Sequence, residues 1–278
     1  MNNLLSFSSV RLDRFSKEGG HLKSASGFIV KTDNQYYLVT NWHVVSGRDF
    51  LTRELPESGV EPATLKISLH LRNGEDEKSA PVTMGIWQRL SIELYNHDLT
   101  PKWIEHQSNK KHYPSMDVVA LSLESNLRLL NTTAILPFVL PKHIKYWGEI
   151  SSIPISIIDT DVDYGPSDTV NVIGHPFGWA PAGSKKPAPA FWRRSSVASE
   201  IKGVGIIPKD AFFIDPCPPE GMTGSPVIGM KDDCPKLLGV YSDSSTAGFG
   251  ANAGLVWSAS VVKELIGISA QRDSLSNP

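Results

Sequence analysis

The stretch SGFIVKTDNQYYLVTNWHVVSG, residues 26–47, decides how this chain is read. Two apolar arms, FIV and YYLVT, are rich in β-branched and aromatic residues and flank the polar run KTDNQ. That pattern predicts an antiparallel β-hairpin. His43 stands just past the second arm, where a turn begins. A histidine at a strand end can face a cleft, and its ordinary pKa near 6.5 suits it to take up and return a proton. Read alone, it fits a hydrogen-bonded residue in a rim loop as well.

Short runs of the same kind recur along the chain: GFIVKT, YYLVTN, TLKISLHLR, DVVALSL, TVNVIGH, AFFID, SPVIGM and LLGVYS. Each is bounded by Gly, Pro, Asn, Asp or other turn residues and reads as a strand. Helical periodicity appears near the end, in SASVVKELIGIS (258–269). There Val261, Val262, Leu265 and Ile266 share a face, and Ser258 or Ser260 is placed to cap. Residues 96–116 and 180–191 read as polar surface loops, and LPKHIKYWGEISSIPISIID (140–159) as a connector between two strand-rich halves. Many short strands, few helices and a central connector point to two β-barrels side by side. The expected division is 1–135 for the first barrel, and 136–278 for the crossover, the second barrel and a short C-terminal helix.

The 278 residues carry a net charge of −2, with 40% hydrophobic and 20% charged residues. This is the balance of a folded globular protein, and it gives no footprint for nucleic acid or an anionic membrane. The first residues, MNNLLSFSSVRLDRF, lack the basic start and apolar core of a secretory leader, and no apolar run approaches the ~18 residues a membrane helix needs. The two cysteines, Cys217 and Cys234, read as reduced thiols, and neither they nor the eight histidines show metal-ligand spacing. The expectation is a cytoplasmic protein with no cofactor and no metal.

Two further motifs bear on chemistry. In SMDVVALSL, Asp117 opens an apolar strand. A carboxylate there needs a partner, because an unpaired buried charge is costly, and an imidazole N–H would serve. It reads equally as a turn residue. Asp98, in the polar run NHDLTPK, is a rival acid. In PEGMTGSPVIG (219–229), Gly221 and Gly224 bracket a tight turn that can bring backbone N–H groups to one point. Acyl transfer needs such donors for its oxyanion. Thr223 and Ser225 are both candidate nucleophiles on this reading, and a turn without chemistry is the third.

Taken together, LVTNWHVV, DVVALSL and GMTGSPVIG, in the order His, Asp, hydroxyl, resemble the trypsin/chymotrypsin-like serine peptidases, particularly their bacterial branch. The resemblance spans roughly residues 20–268 and includes VIGHPFG and LLGVYSDSS. It implies an all-β fold of two six-stranded antiparallel barrels. It also implies a triad of His43, Asp117 and Thr223, with the amides of Gly221 and Thr223 as oxyanion hole. Laid on the family's G-x-S-G-[GS]-P, GMTGSP puts Thr223 at the nucleophile and Ser225 at a variable small position. The primary substrate pocket is expected to involve Cys217, Ser242, Asp243 and Ser244. Met222 replaces the aspartate that pancreatic-type enzymes pair with a new N-terminus, so that activation switch is absent. The implied activity is endopeptidase cleavage of a protein or peptide, including a dedicated partner protein, slowed by the extra methyl of Thr223. The alternative is a catalytically impaired relative that keeps the barrels as a peptide-binding module.

Overall fold

The anticipated hairpin forms, and the first half of the molecule is built around it. The computed structural model describes residues 2–32, 35–57, 59–72, 86–107, 116–123, 149–150, 153–154, 157–158, 163–178, 189–202, 207–231, 234–242 and 253–276. A short helix α1 (Asn2–Ser8) leads into β1 (Ser9–Phe15) and β2 (His21–Lys31), which pairs with β3 (Tyr36–Thr40) in the register Phe28↔Val39, Val30↔Tyr37. One helical turn, α2 (Trp42–Ser46), follows β3 directly. Then come β4 (Thr64–Arg72), β5 (Ile86–Glu93), β6 (Ile104–Glu105) and β7 (Val119–Ser122). The spatial order is β5-β4-β1-β2-β3-β7-β6. The connector adds two short strands to this sheet: β8 (Glu149–Ile150) pairs with β4, and β9 (Ile153–Pro154) runs parallel to β2.

The second half closes on itself. β10 (Thr169–Gly174), β11 (Phe191–Val197), β12 (Ala211–Asp215), β13 (Pro226–Lys231), β14 (Cys234–Ser242) and β15 (Gly254–Ser258) form a barrel in the order β10-β11-β12-β15-β14-β13. Helix α3 (Ala259–Ser276) follows without a break and runs further than its periodicity signalled. The fold is therefore all-β and chymotrypsin-like, with a closed six-stranded barrel, a curved first sheet that is open among the described residues, and a C-terminal helix.

Burial explains the order of these parts. The closed barrel has its own interior, with Val170, Val172, Phe212, Ile214, Val227 and Val256 all essentially inaccessible. A larger cluster joins the halves: Phe28, Leu38 and Val119 of the first sheet are continuous with Ile173, Ile228 and Trp257 of the second. Helix α3 packs against β6 and β7 on one side and β14 on the other, burying Val261, Val262 and Leu265. Val119, Ala120 and Leu121 are all buried: β3 and β6 pair along the two edges of β7, and α3 packs against it.

The sequence regions read as loops hold some regular structure. Residues 96–100 form a tight turn and 104–105 form β6, while β11 begins at 191, the last residue of the second loop. Among the described residues, no helix is long and apolar enough to cross a membrane.

Candidate active site

The site begins with how β3 ends. Asn41 leaves the strand in extended conformation, α2 makes a single turn, and Gly47 stops it at φ 72, its N–H donating to the His43 carbonyl. This is an αL cap, favoured by glycine. The turn lifts His43 out of the sheet; its side chain remains 24% exposed, whereas Asp117 is fully buried. Asp117 sits two residues before β7, with its main-chain carbonyl held by Asn41 Nδ2 at 2.6 Å.

The carboxylate of Asp117 accepts three hydrogen bonds. The His43 backbone N–H reaches Oδ1 at 2.9 Å, His43 Nδ1 reaches Oδ2 at 2.7 Å, and Ser242 Oγ donates to Oδ2 at 2.7 Å. With Nδ1 turned to the carboxylate, the other ring nitrogen, Nε2, is left free of that contact. The rival Asp98 is accounted for elsewhere: it accepts from the amide and hydroxyl of Thr100 in an exposed turn, which lowers its pKa.

Trp42, beside His43, is locked from two sides. Its indole N–H donates to Glu105 Oε1 at 2.8 Å, an oxygen that also accepts from Trp103 Nε1. The guanidinium of Arg53 lies 3.9 Å from the centre of the Trp42 ring. Burial holds the pKa of Arg53 below the ordinary arginine value, against the opposing pull of Glu105 and Asp117. Sequence reasoning missed this support, and the pattern of an isolated Arg in a loop offers no signal for it.

The 219–226 turn carries the other half of the site. Gly221 and Gly224 take φ +89 and +88, in the left-handed region. A Cβ on Gly221 would come within 2.6 Å of Phe177 N and 2.8 Å of the His175 carbonyl, so these are positions only glycine fills. The two hydroxyls separate cleanly. Ser225 is fully buried, its Oγ without a partner against Gly174, whereas Thr223 is half-buried and lines the same cleft as His43. Access to that cleft therefore belongs to Thr223.

The turn's amides divide in the same way. Met222 donates to Pro219 O, Gly224 to Tyr241 O and Ser225 to Met222 O. Among the described residues, the amides of Gly221 and Thr223 donate to no protein acceptor. These two N–H groups, at alternate positions on the cleft wall, are donors with capacity to spare for an acceptor in the cleft.

The cleft has a volume of about 1050 Å³ and runs from Thr223, Gly221 and His43 past Lys23 to Phe50 and Val60. An ion pair between Lys23 and Glu220, at 2.6 Å, spans it from the first sheet to the second barrel. Cys217, half-buried, sits 3.1 Å from the hydroxyl of Tyr241, a cleft residue. Ser242, placed by sequence on a substrate-lining strand, is fully buried and has its hydroxyl turned inward to Asp117. Asp243 and Ser244 lie outside the described residues.

Neither known family models nor curated proteins match the sequence. Solved structures do match in shape. The scabies mite inactivated protease paralogue S-I1 superposes with a TM-score of 0.51 and 14% identity, over 97% of this chain and 96% of that one. The Rv3671c protease from M. tuberculosis, in its active form, gives 0.48 and 15%, over 96% and 84%. The HtrA-type protease AlgW with a tripeptide gives 0.48 and 14%, over 96% of this chain and 62% of that one. At these identities the likeness is one of fold, and that fold is the one trypsin-like serine peptidases share.

Proposed function

We propose that this protein is an endopeptidase of the trypsin-like type, with Thr223 as nucleophile, His43 as general base and Asp117 as the group that orients it. The observation that carries this reading is the convergence in one cleft of an Asp117-bound imidazole, an accessible hydroxyl and two unspent amides. Thr223 Oγ1 attacks the peptide carbonyl carbon while its proton passes to His43 Nε2. The carbonyl oxygen becomes an oxyanion held by the amides of Gly221 and Thr223. Collapse expels the amine, which takes the proton from His43, and water then releases the acyl group by the same steps in reverse. Asp117 stabilises the imidazolium without taking the proton itself.

The methyl group of Thr223 sets the rate. It restricts χ1 and crowds either the imidazole or the oxyanion pocket. A misplacement costing about 2–4 kcal/mol slows turnover roughly 30- to 1000-fold. Among the described residues Thr223 Oγ1 makes no hydrogen bond, to His43 or to any other group, which fits a hydroxyl not yet in line. The same observation favours a second reading, a binding module with lost turnover. The substrate class is a protein or peptide, including a dedicated partner, and Cys217 and Tyr241 form part of its side-chain pocket. We assign the chain to the bacterial branch on its motifs, with residues 1–135 carrying His43 and Asp117 and residues 136–278 carrying Thr223.

Reaction with a fluorophosphonate probe, followed by intact-mass spectrometry and peptide mapping, tests this. The expected result is a label on residue 223 that disappears in His43→Ala and forms about 30- to 1000-fold faster in Thr223→Ser. Absence of labelling in both the unmodified protein and Thr223→Ser would leave the binding module as the reading.

A further inference from the structure

We propose that Ser26, on β2 of the first sheet, is a positioning residue for the oxyanion pocket of the second barrel. The inference takes its chemical consequence from the peptidase reading, though its geometry stands apart from it. In a trans peptide the C=O and the N–H point in opposite directions, so whatever holds the carbonyl aims the amide. Across the turn, four consecutive carbonyls are all held. Glu220 O accepts from Phe177 N at 2.7 Å, Gly221 O from Ser26 Oγ at 2.8 Å, Met222 O from Ser225 N at 3.0 Å, and Thr223 O from Ser26 N at 2.9 Å. Holding Glu220 O and Met222 O turns the Gly221 and Thr223 amides the other way, towards the cleft. Holding Gly221 O and Thr223 O keeps the intervening peptides from rotating an acceptor into the place where donors are needed.

Three of these four ties are backbone to backbone. The fourth is a side chain, and it belongs to Ser26. The residue is fully buried, and its hydroxyl is doubly committed, donating to Gly221 O and accepting from the His175 N–H at 2.9 Å. Its carbonyl accepts from Thr40 Oγ1 at 2.8 Å. Ser26 thus ties the strand leading to His43, the turn carrying Thr223 and the 175–178 turn that holds Glu220 into one unit. The residue immediately before Thr223 is not an acid: Met222, in that place, is a buried apolar residue of the barrel interior. Two of the four ties, those to Gly221 O and Thr223 O, come from the other half of the molecule.

Ser26→Ala removes the tie to Gly221 O and leaves a buried N–H on His175 without its acceptor. The protein and this variant would be compared by fluorophosphonate inactivation kinetics, in the natural and Thr223→Ser backgrounds, and by the 15N–1H resonances of Gly221 and Thr223. The expected result is a fall in the maximal inactivation rate of about 10- to 100-fold, with the probe's half-saturation concentration unchanged, because the amides act on the charge that develops in the transition state. The resonances of Gly221 and Thr223 should move or broaden while those of β10–β15 stay in place. An unchanged maximal rate, or unmoved resonances, would overturn the proposal. If no background labels but the resonances move, the positioning role is upheld and the peptidase reading falls. If no background labels and nothing moves, both fall. Should Ser26→Ala not fold, Ser26→Cys, with similar volume and a weaker donor, is read by the same measurements, with an expected fall of about 3- to 10-fold.

Discussion

Asp117 is the residue on which the site turns, because it is fully buried and each of its oxygens is engaged by named donors. Asp117→Asn keeps the shape but presents an amide N–H2 to groups that are themselves donors, and the imidazole loses the partner that sets its tautomer. The expected outcome is a folded protein whose fluorophosphonate labelling falls about 10³- to 10⁴-fold, read by labelling rate beside a circular dichroism spectrum. His175 carries a second residue-scale expectation. Burial lowers its pKa to about 4, with Arg11 lowering it further and Asp13 and the Ser9 carbonyl opposing. The unfolded chain, with an ordinary histidine pKa near 6.5, binds the proton first, so stability is fully present above that pH and is lost as pH falls from 6.5 towards 4. The span corresponds to roughly 3 kcal/mol. Urea midpoints across that range should fall in the unmodified protein and flatten in His175→Gln. His43, Asp117 and Thr223 could be singled out as candidates from the sequence because strand ends and glycine turns leave local patterns. Ser26, Asn41 and Ser242 were illegible as supports, because a small polar residue in a strand carries no mark of which distant carbonyl or carboxylate it meets.

At the scale of elements, single turns position the chemistry. Helix α2 has five residues, too few to persist alone, and depends on its cap and on burial of Val44 and Val45. Gly47 is left-handed, and a Cβ there would overlap the ring of Pro62. Gly47→Ala should therefore lower stability by about 2 kcal/mol or more, seen as a lower urea midpoint, and should displace His43 enough to slow labelling. The elements read correctly from sequence were those with contiguous apolar or alternating runs, such as β2, β3, β4, β7, β10, β12, β13 and β14. The strands β1, β5, β11 and β15 went unread. VRLDRF, IWQRLSIE and FWRRSSV mix charge with hydrophobicity, because one face of each lies towards water. β15 is a short run that continues directly into the helix.

The whole molecule is held by contacts that cross between its halves. Ser9 Oγ donates to Ile173 O at 2.8 Å, Ser26 grips the second-barrel turn, and His106 Nε2 meets Glu264 Oε2 at 2.7 Å between the first sheet and α3. The helix packs on both halves, so its apolar face should couple their unfolding. Leu265→Ala is expected to cost about 2–5 kcal/mol and to shift a single thermal transition rather than split it in two, as calorimetry would show. None of this inter-barrel stitching was visible in the sequence, which records local periodicity and not which surfaces meet. The position of Ser242 has one further consequence, for the order in which a ribosome makes the chain. His43 and Asp117 emerge early and can pair on the first sheet, while Thr223 comes just before the last three strands of the second barrel, and the Ser242 hydroxyl that completes the hold on Asp117 comes at the end of β14. On the peptidase reading, a nascent chain paused before residue 221 has an imidazole and a carboxylate but neither hydroxyl nor oxyanion amides, and can cut nothing, its own unfinished length included.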